Sequence, residues 1–166
     1  MKIFILVILG LLASTSLYSQ DKCDLSSLSQ DDKMLMQSFW TNFKSAITKK
    51  DKVKLAALCN FPFTCSFCQY IDHPNSNQPY VDVTEKGFLK YYYKMFSDER
   101  LMKEVAKHTL PDEFILTTHF NTVDNKCSYS FAYGVRENEK HPGRQYFFDL
   151  QKVGSKFKIT GAWTLL

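Results

Sequence analysis

The stretch that decides the fold is the last one, Gln145–Leu166, which reads QYFFDLQKVGSKFKITGAWTLL. Tyr146, Phe148 and Leu150 alternate with Asp149 and Gln151; then Phe157, Ile159, Gly161, Trp163 and Leu165 alternate with Lys156, Lys158 and Thr160. A period of two puts one set on an apolar face and the other on a wet face of a strand. The same pattern runs upstream. Cys127, Tyr129, Phe131, Tyr133 and Val135 share one face, as do Phe114, Leu116, Thr118 and Phe120, with Thr117, His119, Ser128 and Ser130 opposite. Everything after Pro111 therefore reads as four antiparallel strands with one solvated side.

Before Pro111 the period changes. Ser29 followed by Asp31 and Asp32 is an N-cap with acids in the first turn. Met36, Phe39, Trp40, Phe43, Ala46 and Ile47 then recur at helical spacing. Asp51 can cap a second, short helix through Leu55 and Leu58, ended by Pro62. Phe61 to Ile71, rich in aromatic and β-branched residues between two prolines, predicts a strand. Residues 75–79 read as a loop, and Tyr80 to Val83 can pair back. Thr84 opens a helix carrying Phe88, Leu89, Tyr92, Met95 and Phe96, and Ser97-Asp98-Glu99 restarts one through Val105. Helices first and strands later predict an α+β fold.

The opening MKIFILVILGLLASTSLYSQ has a basic Lys2 and an apolar run from Ile3 to Leu12, too short to span a bilayer at about 20 residues. We expect a signal peptide over 1–19 with cleavage after Ser19, a flexible arm over 20–28 and one domain over 29–166, secreted or periplasmic with no remaining membrane span. Loss of Lys2 lowers the formal charge from +4 to +3. So mild and dispersed a charge, with no readable motif, excludes a nucleic-acid binder.

The five cysteines are Cys23, Cys59, Cys65, Cys68 and Cys127. In an oxidising compartment they imply at most two bridges and one leftover thiol. Cys59, Cys65, Cys68 and His73 have a tempting count for zinc, but the second close-set ligand pair is missing, and residues three apart on a strand face opposite ways. A thioredoxin-like pair needs a following helix, and none is expected before Pro74. An extended Cys65–Cys68 pair would separate its Cα atoms by roughly 10 Å, too far for a bridge. The expectation is a bridge from Cys59 to Cys65 or Cys68, with Cys23 taking whichever cysteine remains. Cys127 is the candidate free thiol, packed as a small hydrophobe.

Three stretches, FWTNFKSAITKKDKVKLAALCNFPF, EKGFLKYYYKMF and the closing QYFFDLQKVGSKFKITGAWTLL, resemble secreted bacterial members of the nuclear transport factor 2-like (cystatin-like cone) superfamily. The resemblance covers Ser29 to Leu166. It implies N-terminal helices packed on the concave face of a bent antiparallel sheet, in a family of dehydratases, isomerases, cyclases and non-catalytic binding modules. Enzymes of that family carry Asp, His or Tyr on the concave face. Here that face offers Thr118, Tyr129, Tyr133, Tyr146 and Trp163, bordered by Trp40 and Phe43, with no carboxylate or imidazole. We therefore expect a binding module for a small apolar ligand or an envelope protein, without cofactor or metal, and leave a homodimer open. Two alternatives stand: a hydratase or isomerase using Asp72, His73 and the pocket tyrosines, and an envelope thiol or metal protein.

Overall fold

The computed structural model describes residues 23–72, 79–109, 115–121, 125–135 and 143–165. The expected leader over 1–19, Phe114, His73 and the side chain of Asp72 lie outside the described residues.

The alternating C-terminal segment forms the expected meander. Strands β3 (Ile115–Asn121), β4 (Lys126–Val135), β5 (Arg144–Val153) and β6 (Lys156–Leu165) pair antiparallel in sequence order. Two further strands extend it to six, in the order β2-β1-β6-β5-β4-β3. β1 (Cys59–Cys65) runs parallel to β6, while β2 (Val81–Val83) is antiparallel to β1. The sheet is therefore mixed, where a wholly antiparallel one was expected. A parallel neighbour needs a long crossover, and most of the chain lies between β1 and β6.

Helix α1 (Gln30–Thr48) begins where its sequence says it should. The Ser29 hydroxyl accepts the Asp32 amide at 3.1 Å, and Asp31 and Asp32 sit at the positive end of the helix dipole. Its apolar stripe, Met36, Phe39, Trp40, Phe43, Ala46 and Ile47, is buried. Asp51 caps α2 (Lys52–Ala57) by accepting the Lys54 amide at 3.0 Å. The chain then enters β1 at once, so Pro62 lies in a strand rather than ending a helix. It sits where pairing to β6 is irregular, between Cys59 and Thr64, and there a missing N–H leaves no ladder bond unmade. β1 stops at Cys65, and α3 (Gln69–Asp72) occupies what was expected to be more strand. The third predicted helix is split. Thr84 caps α4 (Glu85–Lys90), a 3-10 stretch follows over Tyr92–Phe96, and α5 (Glu99–Lys107) starts at the Asp98 cap. His108 closes α5, and its carbonyl accepts both the buried Trp40 Nε1–H at 3.2 Å and the Lys44 ammonium at 2.6 Å.

The helices cover one face of the sheet, giving the α+β fold. Pairing places Tyr133 opposite Tyr146, Phe131 opposite Phe148 and Tyr129 opposite Leu150, all on the helix side. In β6 the alternation breaks. Leu150 pairs with Ile159 but Asp149 pairs with Gly161, so one extra residue is inserted at Thr160. A bulge of one residue reverses the facing of everything beyond it. Ala162 therefore turns to the helices, and Trp163 is moved to the opposite face, where it stacks on Phe147 at 3.9 Å between ring centroids.

Candidate functional site

The residues expected to border one apolar cavity fall into four places. Trp40 and Phe43 lie at the centre of the helix–sheet interface, and rings fill the space around them. Phe43 lies 5.2 Å from Phe131 and 5.5 Å from Phe96, both edge-on, and Trp40 meets Phe131 at 6.0 Å. Phe131 stacks on Phe148 at 5.2 Å. Such edge-to-face and offset arrangements are the favoured ones, and at these spacings no ligand-sized void separates the rings. Tyr133 and Tyr146 stack on each other at 5.1 Å at one end of the sheet, where Phe67 closes edge-on against Tyr146. Tyr129 lies at the other end against Phe157. Thr118, paired with Tyr129, is exposed, and Trp163 is on the other face.

Two polar groupings accompany these rings, and sequence parity did not reveal the first. Asp98 caps α5, takes a two-point contact from the Arg100 guanidinium at 2.8 and 3.0 Å, and accepts the Tyr133 hydroxyl at 3.3 Å. Partial burial pushes the Asp98 carboxyl up, but the hydrogen bonds from Arg100 outweigh it and hold the group below its ordinary range. Burial, then the Asp98 charge, pushes the Tyr133 phenol well up. A carboxylate made a weaker base by Arg100 and a phenol made a weaker acid by burial are poorly matched to proton transfer near neutral pH, and their contact ties α5 to β4. The second grouping is on the outer face. Asp149 accepts the Ser130 hydroxyl at 2.5 Å and the Trp163 Nε1–H at 3.0 Å. A Cβ on Gly161 would come within 2.9 Å of the other carboxylate oxygen, so only glycine lets Asp149 lie there. Ser130 is itself buried, and its hydroxyl and the Trp163 indole donate to the same Asp149 oxygen, so the grouping joins β4, β5 and β6 on that face.

The cysteines pair otherwise than their spacing predicts. Cys65 and Cys68 are bridged, with Cα atoms 5.5 Å apart. The strand ends at Cys65, and the turn through Ser66 and Phe67 supplies the short distance that an extended chain denied. Cys127, expected to be free, is bridged to Cys23 across a sequence separation of 104. Residues 23–28, expected as a flexible arm, form a 3-10 turn at Leu25–Ser27 capped by Asp24, and Leu25 and Leu28 pack on the core. Cys59 is the free thiol. It opens β1 while Cys65 closes it, about 20 Å away along an extended chain, so no fold-back brings them together. Its Sγ–H donates to the Leu55 carbonyl at 3.4 Å, and burial pushes its pKa far up. A thiol so placed is a poor nucleophile. Among the described residues no three His, Cys, Asp or Glu side chains gather as a metal would require.

Open space exists on the other flank of α1. A cleft of about 430 Å³ lies between α1, the end of α2 and the start of β6. Leu35, Phe39, Ala57, Leu58 and Phe157 supply its apolar surface. Ser38, Asn42, Ser45 and Ser155 line it with small polar groups, and Lys54, Lys156 and Lys158 complete the lining, which contains no acidic side chain. The helical spacing of Leu35, Ser38, Asn42 and Ser45 places a second, mixed stripe beside the buried one. That stripe was the sequence signal for this site. A second cleft, of about 420 Å³, adjoins the Cys23–Cys127 bridge and includes Tyr129, with Asp32 and Lys152 paired in it at 2.6 Å.

No protein-family model matches the chain, and no curated protein sequence matches it. Among solved structures, a variant of the designed nuclear transport factor 2-like protein Rd1NTF2_05 is similar over 78% of this chain and 95% of its own, at 10% identity and a TM-score of 0.41.

Proposed function

We propose that this chain is an exported, non-catalytic binding module of the nuclear transport factor 2-like kind, and that its ligand site is the cleft between α1, α2 and β6. The observation that carries the reading is the contrast in packing. Around Trp40 and Phe43, where a ligand was expected, interlocked rings fill the space, while the cleft combines about 430 Å³ of space with an apolar surface and a polar lining. Ligand pockets are typically of this size and composition. Two disulfides among the described residues support an oxidising compartment, as the leader-like N-terminus does. The described helices include none long and apolar enough to cross a membrane. The Asp98–Tyr133 tie and the burial of Ser130 support binding rather than catalysis.

The test uses a neutral environment-sensitive probe, N-phenyl-1-naphthylamine, titrated by fluorescence. Ser38 is exposed on the cleft side of α1. Ser38→Trp should fill the cleft and weaken the probe by at least about tenfold while leaving unfolding within about 0.5 kcal/mol of wild type. Unchanged probe affinity in a folded Ser38→Trp protein would move the site elsewhere.

A further inference from the structure

Resting on that reading of the cleft, we infer that its ligand is a single-chain amphiphile with an anionic end, whose charge is read by Lys156 and Lys158. The cleft brings three lysines to one apolar-floored space and no carboxylate. Lys54 is the least available of them, because Asp51 lies 3.7 Å from its ammonium. Lys156 and Lys158 are two apart on β6 and so share one side of the strand, opposite the buried Phe157, and both line the cleft. Across the sheet they oppose Val153 and Gln151, neither of which is acidic. The Lys158 ammonium reaches the Cys59 carbonyl at 3.4 Å, a neutral acceptor that holds the side chain without cancelling its charge. Two cations at the rim of a space whose apolar surface comes from Leu35, Phe39 and Phe157 are complementary to a molecule with an apolar tail and a carboxylate or phosphate head. A neutral tail alone would leave the lysines without a purpose in recognition, and a cationic head would be repelled.

The experiment displaces N-phenyl-1-naphthylamine with decanoate, decanol and decylammonium, matched in tail and differing in head. Decanoate should displace the probe at about tenfold lower concentration than decanol, with decylammonium weakest. Raising ionic strength should narrow the gap, because exposed charges are screened. In Lys156→Gln/Lys158→Gln, a change on a strand surface that keeps the long side chains, decanoate and decanol should become equivalent. Equal displacement by decanoate and decanol in the wild type would overturn the anionic head and leave the cleft as the site. A probe that no amphiphile displaces, with affinity unmoved by Ser38→Trp, would overturn both. Displacement by poly-glutamate as effective as by decanoate would replace the amphiphile with an acidic polypeptide.

Discussion

Helix α1 has two flanks, and they meet their surroundings in opposite ways. On one, Met36, Trp40, Phe43 and Ile47 are buried, and aromatic rings from β4 and the 3-10 stretch close around Trp40 and Phe43. On the other, Ser38, Asn42 and Ser45 face a gap left by the end of α2 and the start of β6. Adjacent residues can belong to different regimes. Phe43 is 0% exposed in the core, while Asn42 is exposed at the cleft. A face rich in Phe and Tyr looks like a pocket in the sequence, but large rings that interdigitate consume the volume they seem to enclose. Space persists where short polar side chains cannot fill it.

The strongest test of the filled side is its covalent closure. Cys127 shares the face of Tyr129, and its bridge ties the N-terminal arm to the sheet over 104 residues. Replacing Cys23 and Cys127 by Ser should cost about 4–5 kcal/mol, whereas the same change at Cys65 and Cys68, only 3 residues apart, should cost about 2. Urea unfolding of the two double variants compares them directly. Thiol titration of the wild type should give no reactive thiol when native and one, Cys59, when unfolded. Equal costs for the two bridges would mean that the arm contributes little to closure.

A smaller effect separates the two flanks within one turn. Phe43→Ala should lower stability by about 3–5 kcal/mol through lost burial and the cavity left behind. Asn42→Ala should stay within about 0.5 kcal/mol. The measurement is again denaturant unfolding. Comparable costs at the two positions would dissolve the distinction between a filled and an open flank.

The smallest effect concerns acid. The Asp98 carboxyl is held below its ordinary value of 3.8 in the folded protein, so the stability it contributes is present above that value and is lost as pH falls through the lower folded value. Asp98→Asn should therefore flatten the acid limb of the melting-temperature profile below about pH 4 and leave its shape near neutrality unchanged. An acid limb as steep as the wild type's would show that the Asp98 carboxylate contributes no pH-dependent stability to the fold.

Much of the fold was legible because local rules carry it. The caps at Ser29, Asp51, Thr84 and Asp98 and the helical stripe of α1 depend on neighbours within a turn. The alternation in β4 and β5 depends only on which side is buried. The β6 bulge was not legible, because Lys156–Leu165 alternates without a break in the sequence, and only the pairing partner shows that Thr160 is extra. Trp163 was misplaced for that reason alone. The site was half legible: Leu35, Ser38, Asn42 and Ser45 lie at helical spacing, but a mixed stripe on a helix is normally just its solvent side.

What the sequence by itself determined is the set of elements and their buried faces, since propensity, capping and periodicity act over a few residues. The tertiary structure alone decided the cysteine pairing, the parallel placement of β1 against β6 and the site. Each of these depends on distances between residues far apart in the chain. Cys23 meets Cys127 across 104 residues, and Lys158 and Ser38 line one cleft because β6 ends up beside α1. Sequence spacing fixes contour length, whereas disulfides, charges and cavities respond to separation in space, and only folding converts one into the other.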